Sequence, residues 1–209
     1  MIRIAVSQRV DDIAGRDERR DGLDQQLVAF LARIDVLPLP MPNGLHACGT
    51  LRAWLDDLRP DGLVLSGGND IGSQSDRDDS EKAALAWAIE GRRPVLGLCR
   101  GMQFLGLQAD AQLVGVEGHV RTRHALRGEI AREVNSFHAF ALSGVPAAYR
   151  ALARADDGHI EAIRHHDLPI EGWMWHPERE PTFNAQDLER ARTLLHTVQG
   201  TSRSRRASA

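Results

Sequence analysis

Lysine is almost missing from this chain. Lys82 stands alone among 26 basic residues, so arginine carries the positive charge. The formal net charge is −3 over 209 residues, which excludes the broad basic footprint of a nucleic-acid-coating protein. Cysteine is scarce too: Cys48 and Cys99 are too few for a disulfide scaffold. Aromatic residues make up only 5%. No apolar run approaches the roughly 20 residues needed to cross a bilayer. Met1 to Val6 begins a strand at once and has no signal-peptide core. These absences predict a cytoplasmic protein with reduced thiols, bound to neither nucleic acid nor membrane. What is present, 42% apolar residues without repeats or an internal linker, fits one domain over 1–199. The Ser/Arg-rich stretch 200–209 is expected to be a disordered tail.

Apolar patterning alternates between two periods along the chain. Ile2 to Val6, Val36 to Pro40, Leu63 to Leu65 and Pro94 to Leu98 are short continuous runs, as buried strands are. Leu23 to Ile34, Leu51 to Leu58, Ser80 to Ile89 and Leu188 to Val198 have helical spacing, with Ser80 a suitable N-cap. Such alternation predicts an α/β fold with a mostly parallel sheet, whose functional loops gather at the C-terminal edge of the strands. Asp11 to Gly22 is charged and reads as a surface loop, or as a segment that brings Arg19, Arg20 or Asp21 over a site. Val114 to Glu133 has no clear period. Ile160 to Arg164 and Gly172 to Trp175 read as two late antiparallel strands, with one of the rings of Trp173 and Trp175 facing the core.

Gly97-Leu98-Cys99-Arg100-Gly101 lies where a strand turns sharply into a helix. A thiol there, flanked by glycines, has the layout of a nucleophile elbow. The helix N-terminus places partial positive charge near the sulfur. A thiol nucleophile needs a base and a group that orients it. His176 and Glu178, joined by Pro177 at the end of Trp173-Met174-Trp175, supply both. The Gly67-Gly68 pair ends another strand, and its backbone can approach a ligand closely. N–H groups there and at Arg100 are suitable oxyanion donors. His119 and His124 lack a carboxylate or cysteine partner at ligand spacing, so no metal site is expected.

Taken together, Gly97-x-Cys99-x-Gly101-x-Gln103, Ser66-Gly67-Gly68 and Trp175-His176-Pro177-Glu178 resemble the class I glutamine amidotransferases in order and spacing. The resemblance implies a flavodoxin-like three-layer sandwich and a Cys99-His176-Glu178 triad without a cofactor. It implies attack on a γ-glutamyl carbonyl, with Gly68 and Arg100 as oxyanion donors. It also puts Gly67, Asn69, Gln103 and the Asn135-Ser136-Phe137-His138 loop around the glutamyl group. Within the family the chain is similar to γ-glutamyl hydrolases. These include enzymes of γ-glutamyl-γ-aminobutyrate and, more closely, enzymes of γ-glutamyl nucleotide phosphoramidates such as a γ-glutamyl-CDP-amidate. For such a leaving group, Arg9, Arg20, His119, Arg121 and Arg123 are candidate contacts, since arginine offers a bidentate fork to phosphate. Two alternatives stand beside this expectation: a glutaminase subunit feeding ammonia to a separate synthetase, and a non-enzymatic binding or redox-sensing module. A sensor, however, needs no base behind its thiol.

Overall fold

The computed structural model describes residues 1–197. The expected tail at 200–209 lies outside them. In chain order the elements begin with β1 (Ile2–Ser7), β2 (Arg9–Ile13), β3 (Glu18–Gly22), α1 (Gln25–Ala32), β4 (Val36–Met41), α2 (Gly44–Ala47) and α3 (Leu51–Leu58). The middle of the chain forms β5 (Gly62–Leu65), α4 (Ser75–Glu90), β6 (Val95–Leu98), α5 (Arg100–Leu107), β7 (Leu113–Gly115) and β8 (Val120–Gly128). The chain continues with β9 (Glu133–Phe137), β10 (Phe140–Leu142), β11 (Tyr149–Ala155), β12 (Ile160–His165), β13 (Ile170–Trp173) and α6 (Ala185–Leu195).

One central sheet has the order β4-β1-β5-β6-β13-β12-β11-β8-β9. From β4 to β13 the neighbours run parallel; from β13 to β9 they run antiparallel. The two strands at the heart of the parallel part, β5 and β6, are buried at every position, because helices cover both faces. Alternation along the strands sorts their side chains into two cores. Ile4, Val6, Val64, Leu96 and Leu98 meet Phe30 and Leu31 of α1 and Leu194 and Leu195 of α6. Ala5, Leu63, Leu65 and Val95 meet α3, α4 and α5 through Leu55, Leu85 and Leu105. Three layers result, and each large side chain so buried contributes about 1.5–3 kcal/mol.

Several sequence expectations change. The charged stretch after β1 is no loop: β2 and β3 form a hairpin in register from Arg9 opposite Gly22 to Ile13 opposite Glu18. Its charges face water on a ribbon whose one well-buried residue is Val10, so no apolar alternation marks it. Helix α4 begins at Ser75, ahead of Ser80, with Asp76 and Asp78 in its first turn, where carboxylates suit the helix dipole. Ser80 sits inside that helix, buried, and its hydroxyl donates to the Asn43 carbonyl at 2.6 Å. Helix α6 starts early too, because the Asn184 side chain caps it by accepting from the Gln186 N–H. Trp173 and Trp175 are both buried, stacked 5.3 Å apart and 7° from parallel. Trp173 ends β13 and Trp175 lies two residues on, and both rings turn to the same core. The irregular stretch resolves into β8, a nine-residue strand paired with β9 and β11.

Candidate active site

Strand β6 ends at Leu98 and α5 starts at Arg100, so Cys99 alone makes the turn. Its backbone sits at φ 51°, ψ −104°, a left-handed conformation that costs a non-glycine residue on the order of 1–3 kcal/mol. Neighbouring elements hold it there. The Cys99 N–H donates to the Trp173 carbonyl at 2.7 Å. A Cβ on Gly101 would lie 2.1 Å from the Leu65 carbonyl oxygen, and one on Gly97 would lie 2.6 Å from the Gly101 backbone. Strands β5 and β6 and helix α5 therefore close on one another only because both positions lack a side chain. Arg100, as the first helical residue, has an N–H without an intrahelical partner.

Strand β13 runs beside β6 and delivers His176 to the same edge. His176 is buried, and its Nδ1 lies 2.6 Å from Glu178 Oε1. Cys99 makes its turn at this same edge, and its side chain acts on the imidazole together with Glu178. Burial alone depresses a histidine pKa, but the bonds to Cys99 and Glu178 outweigh it and push His176 up to about 9. Imidazole and carboxylate thus pair at the edge where Cys99 leaves β6. The Asn135 side chain fixes the histidine's backbone from both ends: its Nδ2 donates to the His176 carbonyl at 2.8 Å, and its Oδ1 accepts from the His176 N–H at 2.9 Å. Phe137 covers the ring edge-on, with centroids 5.8 Å apart.

The Ser66-Gly67-Gly68-Asn69 segment leaves β5 directly beneath that ring. A Cβ on Gly67 would lie 2.7 Å from His176 Cε1, so the imidazole rests on bare backbone. Gly68 has φ 96°, a conformation natural to glycine. Behind the segment lies Arg77 of α4, wholly buried and not anticipated from the sequence. Its guanidinium donates to the Ser66 carbonyl at 2.8 Å, the Gly67 carbonyl at 3.0 Å and Asn69 Oδ1 at 3.2 Å. Glu81 pairs with Arg77 at 3.0 Å and also with Arg100, whose side chain reaches Asp78 as well. An arginine among the acids of a helix start looks like a solvated residue. Only the convergence of five acceptors shows otherwise.

The remaining predicted residues divide into two groups. Asn69 exchanges hydrogen bonds with the Val10 backbone at 2.8 and 2.9 Å, which ties the β2–β3 hairpin to the glycine segment. Gln103 donates to the Phe140 carbonyl at 2.9 Å, and the Ser136 hydroxyl donates to the His119 carbonyl at 2.6 Å. These polar side chains brace the site from within. Arg9 lines a cavity of about 230 Å³ with Gly67, Gly68, Glu178 and Arg179, and holds Asp11 at 2.7 Å. Arg179, which directly follows Glu178, lines the same cavity. Arg20 lies exposed and pairs with Glu18, and Arg123 pairs with Glu133 and Glu180. Arg121 is exposed with φ 54° and does not line that cavity.

His119 needs a correction. It is buried, with Nε2 2.7 Å from Asp157 and Nδ1 3.2 Å from His138, so it is not open to a leaving group. The expectation that His119 and His124 lack a carboxylate partner also fails. Glu161 of β12, distant in sequence, lies against His119, His124 and His138.

A model of the Glutamine amidotransferase class-I family matches residues 21–194, and the chain belongs to that family. Among curated relatives, γ-glutamyl-CDP-amidate hydrolase of Campylobacter jejuni is 34% identical over 128 residues, covering 58% of this chain and 64% of that protein. A glutamine-hydrolyzing GMP synthase subunit from Methanocaldococcus jannaschii is 29% identical over 127 residues, covering 56% of this chain and 64% of that protein. The matched stretch is thus slightly under two thirds of either relative's length. A Thermoplasma acidophilum structure, described as a GMP synthase subunit, superposes with a TM-score of 0.71 at 20% identity, covering 93% of this chain and 92% of that one. That agreement extends the shared fold over nearly the whole chain. No helix among the described residues is long and apolar enough to cross a membrane.

Proposed function

We propose that this chain hydrolyses a γ-glutamyl amide through a γ-glutamyl thioester on Cys99. The observation that carries the proposal is the His176–Glu178 pair, 2.6 Å apart at the strand edge where Cys99 makes its turn between β6 and α5. With the proton on His176, the Cys99 sulfur attacks the γ-carbonyl carbon. The carbonyl electron pair moves to oxygen, where the Gly68 and Arg100 N–H groups stabilise the charge. Collapse of the tetrahedral intermediate breaks the C–N bond, and His176 gives its proton to the departing nitrogen. Water then enters, His176 takes a proton from it, and the thioester opens to glutamate and free Cys99. Glu178 orients the ring and offsets its charge throughout. Gly67, Gln103 and the Asn135–His138 segment shape the glutamyl pocket.

The preferred substrate in this proposal is a γ-glutamyl nucleotide phosphoramidate, with γ-glutamyl-γ-aminobutyrate second. Two observations support a phosphorylated leaving group: the likeness to the Campylobacter jejuni hydrolase, and Arg9 and Arg179 lining the cavity beside Gly68. Arginine's planar fork suits phosphate oxygens. The likeness to the GMP synthase subunit favours a second reading, in which glutamine is the substrate and ammonia passes to a separate synthetase. Glutamate release from glutamine, γ-glutamyl-γ-aminobutyrate and a γ-glutamyl nucleotide phosphoramidate separates the two. The first reading expects the phosphoramidate to exceed glutamine by at least about 100-fold in kcat/KM, equivalent to roughly 2.7 kcal/mol of transition-state binding. Slow turnover of glutamine alone, rising when a synthetase is added, supports the second. No glutamate from any of the three overturns both.

A further inference from the structure

Behind the Asn135–Phe140 segment lies a buried group of side chains that the reaction does not use. His119 precedes β8, His124 lies on it, His138 follows β9 and Glu161 comes from β12. Hydrogen bonds to outside partners fix two of the rings. His119 Nε2 faces the Asp157 carboxylate at 2.7 Å, and a carboxylate accepts, so Nε2 carries the hydrogen. Its Nδ1 then turns a lone pair inward. His138 Nδ1 faces the Phe140 carbonyl at 3.0 Å, and a carbonyl can only accept, so the inward Nε2 also bears a lone pair. These two lone pairs oppose each other at 3.2 Å. Neutral rings in these tautomers have no hydrogen to share there.

Glu161 adds negative charge to the same point. Its side chain is fully buried, and neither carboxylate oxygen has a hydrogen-bond partner. Oε1 lies 3.4 Å from His119 Nδ1 and 3.3 Å from His138 Nε2, and Oε2 lies 3.3 Å from His124 Nε2. His124 Nε2 is also buried without a hydrogen-bond partner. Ligand atoms of His119, His124 and Glu161 all fall within 4.8 Å of one another. Buried acceptors do not face one another in this way without a positive centre between them.

We propose that His119, His124, His138 and Glu161 bind a divalent transition-metal ion of the zinc class, and that this ion braces the substrate-side Asn135–Phe140 segment. A tetrahedral ion with bonds of about 2.1 Å holds its ligands about 3.4 Å apart, close to the 3.2–3.4 Å that separates Glu161 from each ring and His119 from His138. Three imidazoles and one carboxylate suit zinc and its neighbours rather than calcium or magnesium. Asp157 and the Phe140 carbonyl take the outer ring hydrogens of two ligands, the usual outer support for histidine sites. His119, His138 and Glu161 are buried and His124 is half-buried, which suits a structural ion. It takes no part in the Cys99 chemistry.

Metal analysis of the full chain purified without chelator tests this. We expect about one equivalent of zinc per chain. After chelation, the chain should take up one equivalent of Co²⁺ with the intense visible bands of a tetrahedral site, and zinc should displace it. Cys99→Ala should keep this binding, whereas His124→Ala and Glu161→Gln should lose it. Wild-type protein that is folded by circular dichroism, metal-free as purified, and unable to bind zinc or Co²⁺ at micromolar concentration overturns the proposal. A protonated imidazole then holds the cluster together instead. Co²⁺ bands that vanish in Cys99→Ala would also overturn it, because the ion would then sit on the nucleophile. Should His124→Ala fail to fold, the wild-type titration and the Cys99→Ala control still decide.

Discussion

The two halves of the central sheet contribute in different ways. The parallel half, β4 to β13, presents the candidate chemistry on strand ends: Cys99 after β6, Gly67 and Gly68 after β5, and His176 just beyond β13. Neighbouring parallel strands finish at one edge, so a few local motifs suffice to assemble a site. The antiparallel half works by side-chain convergence. His119, His124, His138 and Glu161 meet only because β8, β9, β11 and β12 fold back over one another. The β12–β13 ladder joins the halves, and just past its end the Met174 N–H donates to the Glu161 carbonyl at 2.8 Å, two residues before His176. The site is thus built on the parallel half and braced by the antiparallel one.

The sharpest separation of the halves comes from Cys99→Ala. It should lower glutamate release by about 10⁴-fold or more while leaving the circular dichroism and the histidine–glutamate group unchanged. Activity near the wild-type level would remove Cys99 from the reaction. A smaller effect is expected from Gly67→Ala, whose new methyl would meet His176 Cε1 at 2.7 Å. Displacing the base by a fraction of an ångström should cost about 100-fold in kcat, with KM nearly constant. A change in KM alone would mean that Gly67 serves binding rather than the seating of the base.

The mildest effect is on stability against pH. The folded-state pKa of His176 is raised from 6.5 to about 9, against the opposing effect of burial, by Cys99 and Glu178. Its contribution is therefore complete below about pH 6.5 and is lost as the pH rises through 9. Denaturant midpoints between pH 6 and pH 10 should decline across that window in the wild type, and more shallowly in His176→Gln. Parallel declines in the two proteins would assign the effect to another group.

Legibility in the sequence follows the same division. Gly97-x-Cys99-x-Gly101 and His176-Pro177-Glu178 can be read locally because spacing along one strand end sets which groups meet. The strands β5 and β6 are equally plain, since both faces are buried. The β2–β3 hairpin escapes notice because it is charged on nearly every exposed position and offers no period-two pattern. Glu161 lies in an ordinary strand run, Ile160-Glu161-Ala162-Ile163, with no local sign that three histidines await it. Arg77 looks like one more surface charge on a polar helix start. Glu161 is buried by contacts across long sequence separations, and Arg77 by the Ser66–Asn69 segment folding back over it; periodicity is blind to both.

The buried Arg77 also bears on the oxyanion. Its guanidinium binds the Gly67 carbonyl at 3.0 Å from behind. In a trans peptide the carbonyl and the following N–H point in opposite directions, so this bond turns the Gly68 N–H forward, away from Arg77. A positive charge on the oxygen side also draws electron density through the conjugated amide and leaves that N–H a stronger donor. In the proposed reaction, a residue that never touches substrate thus aims and polarises the group that receives the oxyanion. The peptide plane acts as a lever with the cation at one end and the developing charge at the other.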